Sequence, residues 1–451
     1  WTLVPSIFNT NLPLDLIEAI AWGYDWPLGW DKHPPLSVWF TEFFYQIFGN
    51  QDWVYYFLGQ LFVVSSFFIV WKFSLDFFRN PFYSFISVLF LEGMFFYNYA
   101  ATEFNVNICQ LPFWALTVYY FWKGLKNNNL HSWILLGIFA GLGVLSKYIF
   151  IYLLLSIFMF FLYAIYKKEF NNKCLFSLIS FLVVISPHLF WLIQNNFATI
   201  NYALIRSIND PLSVLGLSNL LNHLFHPLMF VIKQLGILLP SLIMLLFIFS
   251  NFKIKKNYLK KIKNKTFIKD KKLFFLFSTT IMPIILVFLT SVATGSKIKT
   301  MWMTPFYLFI GVLLVYIFQK KIELKKIKKF FLVFLLLFIL FPTIYLMAYV
   351  YKPMGRTDYP GKVISKIVQT QWDNNFSNKL EIVIGHGYKN EFYAQNLSYH
   401  LKSRPKWKKI LEGYSKERGV VVIKGFNEIS NCSGILYKID PFNDICMLGE
   451  K

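Results

Sequence analysis

Residues 149–166, IFIYLLLSIFMFFLYAIY, form eighteen consecutive positions without a charge. As a helix this run is about 27 Å long, close to the ~30 Å thickness of a bilayer hydrocarbon core. The whole chain is 56% hydrophobic and only 15% charged. It is therefore predicted to be an α-helical polytopic membrane protein, with ten spans at roughly 54–76, 82–100, 107–124, 131–147, 149–166, 174–194, 227–250, 273–293, 302–319 and 330–350.

The first apolar stretch ends near Phe8, and the chain opens with Trp1 rather than Met. We expect the natural protein to start earlier, with one more span whose last turns are WTLVPSIF. The fold prediction is accordingly about 10 to 11 spans, the first one truncated.

Lysines are concentrated in two loops between spans. Residues 251–272 carry ten Lys against one Asp, and residues 320–329 carry six Lys against one Glu. The positive-inside rule places both loops in the cytoplasm, and the smaller basic turns at Arg79, Lys126 and Lys168 fall on the same side. Because the formal net charge of +22 sits in short loops rather than on one folded face, no nucleic-acid partner is predicted.

The tail after Tyr351 faces the opposite compartment in this topology. Its stretches KLEIVIGHGY and RGVVVIKGF predict short β-strands alternating with an amphipathic helix. We therefore divide the chain into a membrane domain, 1–350, and an extracytoplasmic soluble α/β domain, 351–451. Cys432 and Cys446 in this tail are predicted either to pair in a disulfide or to remain free thiols.

The first extracytoplasmic loop, about 9–53, holds the densest chemistry of the chain. It reads LPLDLIEAIAWGYDWPLGWDKHPPLSVW over residues 12–39 and places Asp15 and Glu18 three positions apart, before Lys32 and His33. Charged groups are costly to remove from water unless they are paired or used, so this cluster is a functional hypothesis. The apolar positions of LDLIEAIAW share one helical face and predict an interfacial helix.

Five stretches in order, LPLDLIEAIAWG with KHPPLSVW, TEFNVNICQLPFW, GLGVLSKYIF, SPHLFWLIQNNF and GSKIKTMWMTPFYLFIGVLL, resemble integral-membrane glycosyltransferases of the GT-C class. They are similar to the bacterial branch related to protein O-mannosyltransferases (glycosyltransferase family 39) and to the lipid A aminoarabinose transferase. The resemblance covers residues 12 to about 320. It implies a polyprenyl-phosphate-linked sugar donor, an acidic catalytic residue in the first loop, and a lipid, glycan or protein acceptor at the membrane.

This resemblance implies inverting sugar transfer on the extracytoplasmic face of a bacterial inner membrane, facing the periplasm or exterior. Transfer needs a base for the acceptor proton and cations for the departing phosphate. Asp15 is the expected base, and Glu18 is expected to orient the acceptor or help to hold a divalent metal ion. The chain departs from the adjacent Asp-Glu pair of the mannosyltransferases, which leaves open which acid is the base.

Lysines near the predicted extracytoplasmic boundary are candidate contacts for the donor phosphate, with interfacial anchoring by snorkelling as the alternative. Polar side chains that begin or end neighbouring spans are candidates for sugar or acceptor binding, with helix capping or a buried structural role as alternatives. Glu103 is also a possible metal ligand. The phosphate candidates are Lys32, His33, Lys147, Lys297 and Lys299, and the sugar or acceptor candidates are Glu103, Asn105, Asn107, His188 and Asn195.

Two other functions fit a polytopic chain. In a transporter or flippase for a lipid-linked or anionic substrate, intramembrane charges mark the path, whereas here the charges gather at one face. A non-catalytic assembly factor has no use for the cluster of carboxylates and lysines. Sugar transfer is the function that the sequence favours.

The predicted topology can be tested by thiol labelling after Cys432 and Cys446 are replaced. A cysteine introduced at Ser377 is expected to react with an impermeant thiol reagent on intact spheroplasts. A cysteine at Asn264 is expected to react only after lysis, because export of ten lysines opposes both the insertion bias and the membrane potential. Labelling of residue 264 from outside would show that the topology is the inverse of the predicted one. It would then also contradict the prediction of a lipid-linked donor.

Overall fold

The protein is described by a computed structural model. It describes residues 1–167, 172–208, 216–249, 270–351, 355–385, 387–409, 419–423, 434–438 and 445–451. Cys432 and Asn264 lie outside these ranges.

Long apolar helices dominate residues 1–351. Six helices of the described chain are long and apolar enough to cross a membrane, at Asp52–Ser74, Tyr148–Tyr166, Asn172–Gln194, Leu221–Leu246, Lys271–Thr294 and Leu324–Tyr351. This confirms the prediction of a polytopic α-helical membrane protein. The α-helices are α1 Leu3–Phe8, α2 Leu14–Gly23, α3 Leu36–Phe48, α4 Asp52–Ser74, α5 Pro81–Leu89, α6 Val106–Asn127, α7 Leu130–Ser146, α8 Ile151–Tyr166, α9 Leu175–Gln194, α10 Ala198–Ile208, α11 Gly216–Leu246, α12 Lys271–Thr294, α13 Ile310–Phe318 and α14 Ile327–Tyr351.

Two of the ten predicted spans are not single α-helices. The stretch predicted at 82–100 is helical only as α5, and it continues as 3-10 turns at Phe90–Gly93, Phe95–Tyr97 and Tyr99–Thr102. The Asn98 side chain donates to the Glu92 carbonyl across these turns, at 2.7 Å. The stretch predicted at 302–319 consists of a 3-10 helix, Thr300–Tyr307, and a second segment bent from it by 52°. Pro305 lies inside the first part, where it removes a backbone donor.

Helix α2 is more deeply buried than its sequence predicted. All its residues from Leu16 to Gly23 are buried. Leu16 and Ile20 join the core of the membrane helices, whereas Ala21 and Trp22 join the core of the C-terminal region. The sequence predicted one apolar face on α2, and the structure also covers its second side, with a region that is more than 300 residues away in sequence.

The C-terminal region contains a five-stranded sheet of order β2-β1-β3-β5-β4. Strand β1 pairs in parallel with β2 and β3, and β5 pairs antiparallel with β3 and β4. Strands β1 and β3 are buried at every position, as their continuous aliphatic sequences indicate. The elements are α15 Gly361–Asn375, β1 Ile382–Gly385, α16 Tyr388–His400, β2 Lys406–Lys408, β3 Val420–Ile423, β4 Ile435–Tyr437 and β5 Ile445–Leu448.

The cysteines fall into two classes. Cys446 in β5 is a disulfide cysteine. Cys109 and Cys174 carry free thiols and are buried. The predicted partner of Cys446, Cys432, lies outside the described residues.

An ion pair joins the C-terminal region to α3 of the first loop. The Arg404 guanidinium donates to both carboxylate oxygens of Glu42, which is fully buried. The Tyr45 ring lies 3.6 Å from the guanidinium carbon and shields the pair from solvent. Lys362 and the Asp52 carboxylate form a second pair at 2.6 Å, but the lysine is largely exposed.

We expect Arg404→Met to destabilise the protein by about 3–5 kcal/mol, because it leaves the Glu42 charge buried and unpaired. Lys362→Met is the matched control and is expected to cost at most about 1 kcal/mol, as exposed pairs do. Thermal unfolding of the detergent-solubilised variants measures both. The double variant Arg404→Met with Glu42→Gln should recover part of the loss, and equal melting temperatures for the two single variants would contradict the assignment.

Candidate functional site

Asp15 lies at the first turn of α2, against the segment that leads into α6. The backbone N–H of Asp15 donates to Glu103 Oε1 at 2.9 Å. Glu103 follows the 3-10 turn Tyr99–Thr102, and its extended backbone presents the carboxyl group to α2. A residue of the first loop and a residue 88 positions later are thereby held in contact.

Burial distinguishes the carboxyl groups. Loss of solvent, together with repulsion from Asp15, raises the pKa of Glu103 to about 8. Arg356 opposes this shift only in part. Burial therefore favours the protonated form of Glu103, in which the carboxyl group cannot accept a further proton.

Glu18 and Lys32 form an ion pair within the first loop. Lys32 Nζ lies 2.7 Å from Glu18 Oε1 and 5.3 Å from the centre of the Trp22 ring. Glu18 is buried; burial raises its carboxyl pKa, and Lys32 opposes that shift. The pair fixes the lysine at the turn between α2 and α3, with His33 half-buried beside it.

Lys147 lies between α7 and the 3-10 turn that begins α8. Its ammonium donates to Asn107 Oδ1 and lies 5.2 Å from the centre of the Trp302 ring. Asn105 caps α6 by accepting from the backbone N–H groups of Asn107 and Ile108. The cap of this helix is Asn105, and the Glu103 carboxyl is free to contact α2.

The segment 103–107 thus joins two candidates from different parts of the chain. Its first residue accepts from Asp15, and its last contacts Lys147. The structure thereby holds the Asp15 backbone N–H and the Lys147 ammonium, which are 132 positions apart in sequence, at the two ends of this segment.

His188 holds the first loop against α9. One ring nitrogen lies 2.7 Å from the Leu28 carbonyl oxygen and the other 2.6 Å from the Tyr148 hydroxyl. Tyr148 follows Lys147 directly. Both ring nitrogens have hydrogen-bond partners, so the structure supports the buried structural role for His188.

Three predicted site residues remain, Lys297, Lys299 and Asn195. Lys299 is half-buried immediately before the 3-10 helix Thr300–Tyr307, which carries Trp302, and Lys297 is exposed. Asn195 is exposed and donates to the Trp191 carbonyl of its own helix, at 2.8 Å.

The described residues do not present a preformed metal centre. They contain no group of three or more His, Cys, Asp or Glu that could hold an ion. Of the two acids proposed as ligands, Glu18 is paired with Lys32, and Glu103 accepts from the Asp15 backbone. The donor set does not fit the expected divalent metal, and no step below depends on one.

Sequence reasoning missed two residues at the site. Arg356, at the start of the C-terminal region, acts electrostatically on Glu103. Trp302 lies beside Lys147. The GSKIKTMWM motif contained the tryptophan, but only the fold shows which lysine it contacts.

Comparisons with known proteins find a related sequence family and a similar fold. Residues 32–191 match the family model of dolichyl-phosphate-mannose-protein mannosyltransferases. The structure is similar to that of ArnT from Cupriavidus metallidurans bound to undecaprenyl phosphate, with a TM-score of 0.61 and 11% identity over 88% of this chain and 83% of that one. It is similarly close to the apo state of that protein, with a TM-score of 0.60 and 10% identity over the same shares. No curated protein sequence matches the chain.

The resemblance to GT-C glycosyltransferases predicted from the sequence is confirmed by these comparisons. The ArnT-like fold, with a small C-terminal sheet, is the predicted fold class. The matched segment 32–191 includes Lys32, Glu103 and Lys147.

The raised pKa of Glu103 predicts a pH dependence of stability. A carboxyl group whose pKa is higher in the folded state stabilises the fold below its unfolded pKa, and that contribution is lost as the pH rises through about 8. We therefore expect the melting temperature of the wild type, relative to Glu103→Gln, to fall between pH 5 and pH 9. Glutamine keeps the acceptor oxygen for the Asp15 N–H.

The exposed acid Glu381 provides the control, because Glu381→Gln should follow the wild type at every pH. Thermal unfolding in one detergent across this pH range makes the comparison. Parallel curves for the wild type and Glu103→Gln would contradict the raised pKa.

Proposed function

We propose that the protein transfers a sugar from a polyprenyl-phosphate donor to an acceptor hydroxyl or amine, with inversion at the anomeric carbon. The base takes the acceptor proton, the acceptor atom bonds to the anomeric carbon, and the bond from that carbon to the phosphate oxygen breaks. The polyprenyl phosphate leaves with the electron pair of that bond.

One observation carries the proposal: Glu103 accepts from the backbone N–H of Asp15, and Asn107, four positions later, accepts from the Lys147 ammonium. A base and a cation for the leaving phosphate are the two groups that this reaction requires. The family match and the ArnT-like fold support the same reaction class, and the similar ArnT structure has undecaprenyl phosphate bound.

Asp15 is the proposed base. Glu18 is engaged by Lys32, and burial favours the protonated form of Glu103. Asp15 is half-buried at the N-terminal turn of α2, and its charge acts on both Glu18 and Glu103. Glu18 then acts as a positioning residue that holds Lys32.

Lys32 and Lys147 are the proposed contacts to the donor phosphate. Each ammonium contacts a polar side chain and lies near an aromatic ring, Trp22 for Lys32 and Trp302 for Lys147. An ammonium has three donor hydrogens, so each lysine can contact phosphate while keeping its protein partner. Lys299 and Lys297, on the segment before Trp302, are candidates for an outer contact.

The proposed site faces the extracytoplasmic side of a bacterial inner membrane, as the lysine-rich loops predict. The acceptor is a lipid, a glycan or a protein. The transporter alternative has less support, because Asp15, Glu103 and Lys147 gather around one turn rather than along a path through the helices.

Asp15→Asn is expected to lower transfer by about 10²–10⁴-fold, because the amide keeps the shape and loses the basicity. Membranes incubated with labelled polyprenyl-phosphate sugars give the rate, and donor binding should remain close to that of the wild type. Glu18→Gln is the matched variant and is expected to weaken donor binding through Lys32. Near-normal turnover of Asp15→Asn together with loss of turnover in Glu18→Gln would identify Glu18 as the base instead.

Lys147→Met is expected to weaken donor binding by about tenfold or more, because charge-assisted contacts to phosphate are stronger than neutral ones. Lys147→Arg should retain part of the affinity. Binding of the polyprenyl phosphate alone to the solubilised protein measures the effect without turnover. Unchanged affinity in Lys147→Met would show that this lysine only anchors the helix end at the membrane surface.

A further inference from the structure

A cavity of 340 Å³ lies beside α11, apart from the site around Asp15. Four of its lining residues are Lys233, Gly236, Ile237 and Pro240, spaced i, i+3, i+4 and i+7 on one face of that helix. The volume falls within the range of about 300–1,000 Å³ that is typical of small-molecule sites.

Open space beside Gly236 is an independent sign of the cavity. A β-carbon built at this glycine would meet no heavy atom within 4 Å. Pro240 has no N–H and therefore withholds the usual helical partner from the Gly236 carbonyl. This face of α11 therefore lacks a side chain at Gly236 and a backbone N–H at Pro240, and both residues line the cavity.

Lys233 is the charged residue of this lining. It lies inside the membrane-spanning helix Leu221–Leu246, and its side chain is exposed. Within the described part of the chain its ammonium has no ion pair, hydrogen bond or ring contact. Ionisable residues within membrane helices are costly and usually serve binding or transport.

The other walls indicate what the cavity can hold. Phe95 and Phe341 contribute aromatic surface from two further elements, and Thr300 contributes a hydroxyl group. An apolar wall with one cation and one hydroxyl fits the phosphate of an anionic lipid, with its hydrocarbon along the aromatic rings.

The cavity is separate from Lys147, although both adjoin the 3-10 helix Thr300–Tyr307. Thr300 lines the cavity, and Trp302 lies beside Lys147. With three residues per turn, side chains two positions apart on a 3-10 helix point in different directions. The 3-10 helix therefore has one face toward the cavity and another toward Lys147.

We propose that this cavity is a second lipid site, in which Lys233 and Thr300 bind the phosphate of an anionic lipid. The proposal goes beyond the transfer reaction and does not depend on Asp15 or Lys32. A lipid held there lies beside the 3-10 helix whose Trp302 ring is close to Lys147.

Binding of short-chain phosphatidic acid to the full-length protein in maltoside micelles tests this proposal. The wild type should bind it, and Lys233→Met should bind at least about tenfold more weakly. Gly236→Leu, which fills the cavity without changing the charge, should show a similar loss, whereas Lys233→Arg should retain binding. Lys366→Met removes one exposed charge from α15 and serves as the control for net charge.

Three results would overturn the proposal. Equal affinity of Lys233→Met and the wild type would show that this lysine only snorkels to the membrane surface. Equal binding of phosphatidylcholine with the same chains would remove the selectivity for an anionic head group, and equal binding of inorganic phosphate would identify a free anion rather than a lipid as the ligand. Lys32→Met separates this site from the proposed reaction, because it should impair donor binding and leave phosphatidic acid binding intact.

Discussion

Burial of α2 on both sides is the constraint on which the candidate site depends. Its Leu16 and Ile20 pack into the core of the membrane helices, and its Ala21 and Trp22 pack into the core of the C-terminal region. A helix held between two cores cannot slide or rotate without loss of apolar contacts on one side. Asp15 is therefore placed at a fixed point over the start of α6, where its backbone N–H meets Glu103.

The C-terminal region contributes to this placement through polar contacts as well as through apolar packing. Arg404 neutralises the buried Glu42 of α3, and His400 lies 2.9 Å from the Asn11 side chain just before α2. Backbone N–H groups of Thr10 and Asn11 donate to the Thr357 carbonyl. The C-terminal region thus packs against the first loop and fixes the residues that flank Asp15.

Electrostatics divides the acids into three different states. Glu18 is paired with Lys32, Glu103 has a raised pKa through burial, and Asp15 is half-buried at the first turn of α2. The sequence placed Asp15 and Glu18 in one motif and suggested that either was the base. The ion pair of Glu18 is the feature that separates their roles, and it depends on the turn that returns Lys32 to α2.

The sequence by itself determined the membrane architecture, because apolar length and lysine-rich loops are properties of local composition. It also determined the candidate residues Asp15, Lys32 and Lys147 through their order in a recognisable set of motifs. Only the tertiary structure decided that 82–100 is broken into 3-10 turns, that α2 is buried on both sides, and that one turn at 103–107 links Asp15 with Lys147. These features depend on contacts between residues far apart in the chain, which no local pattern of hydropathy or charge contains.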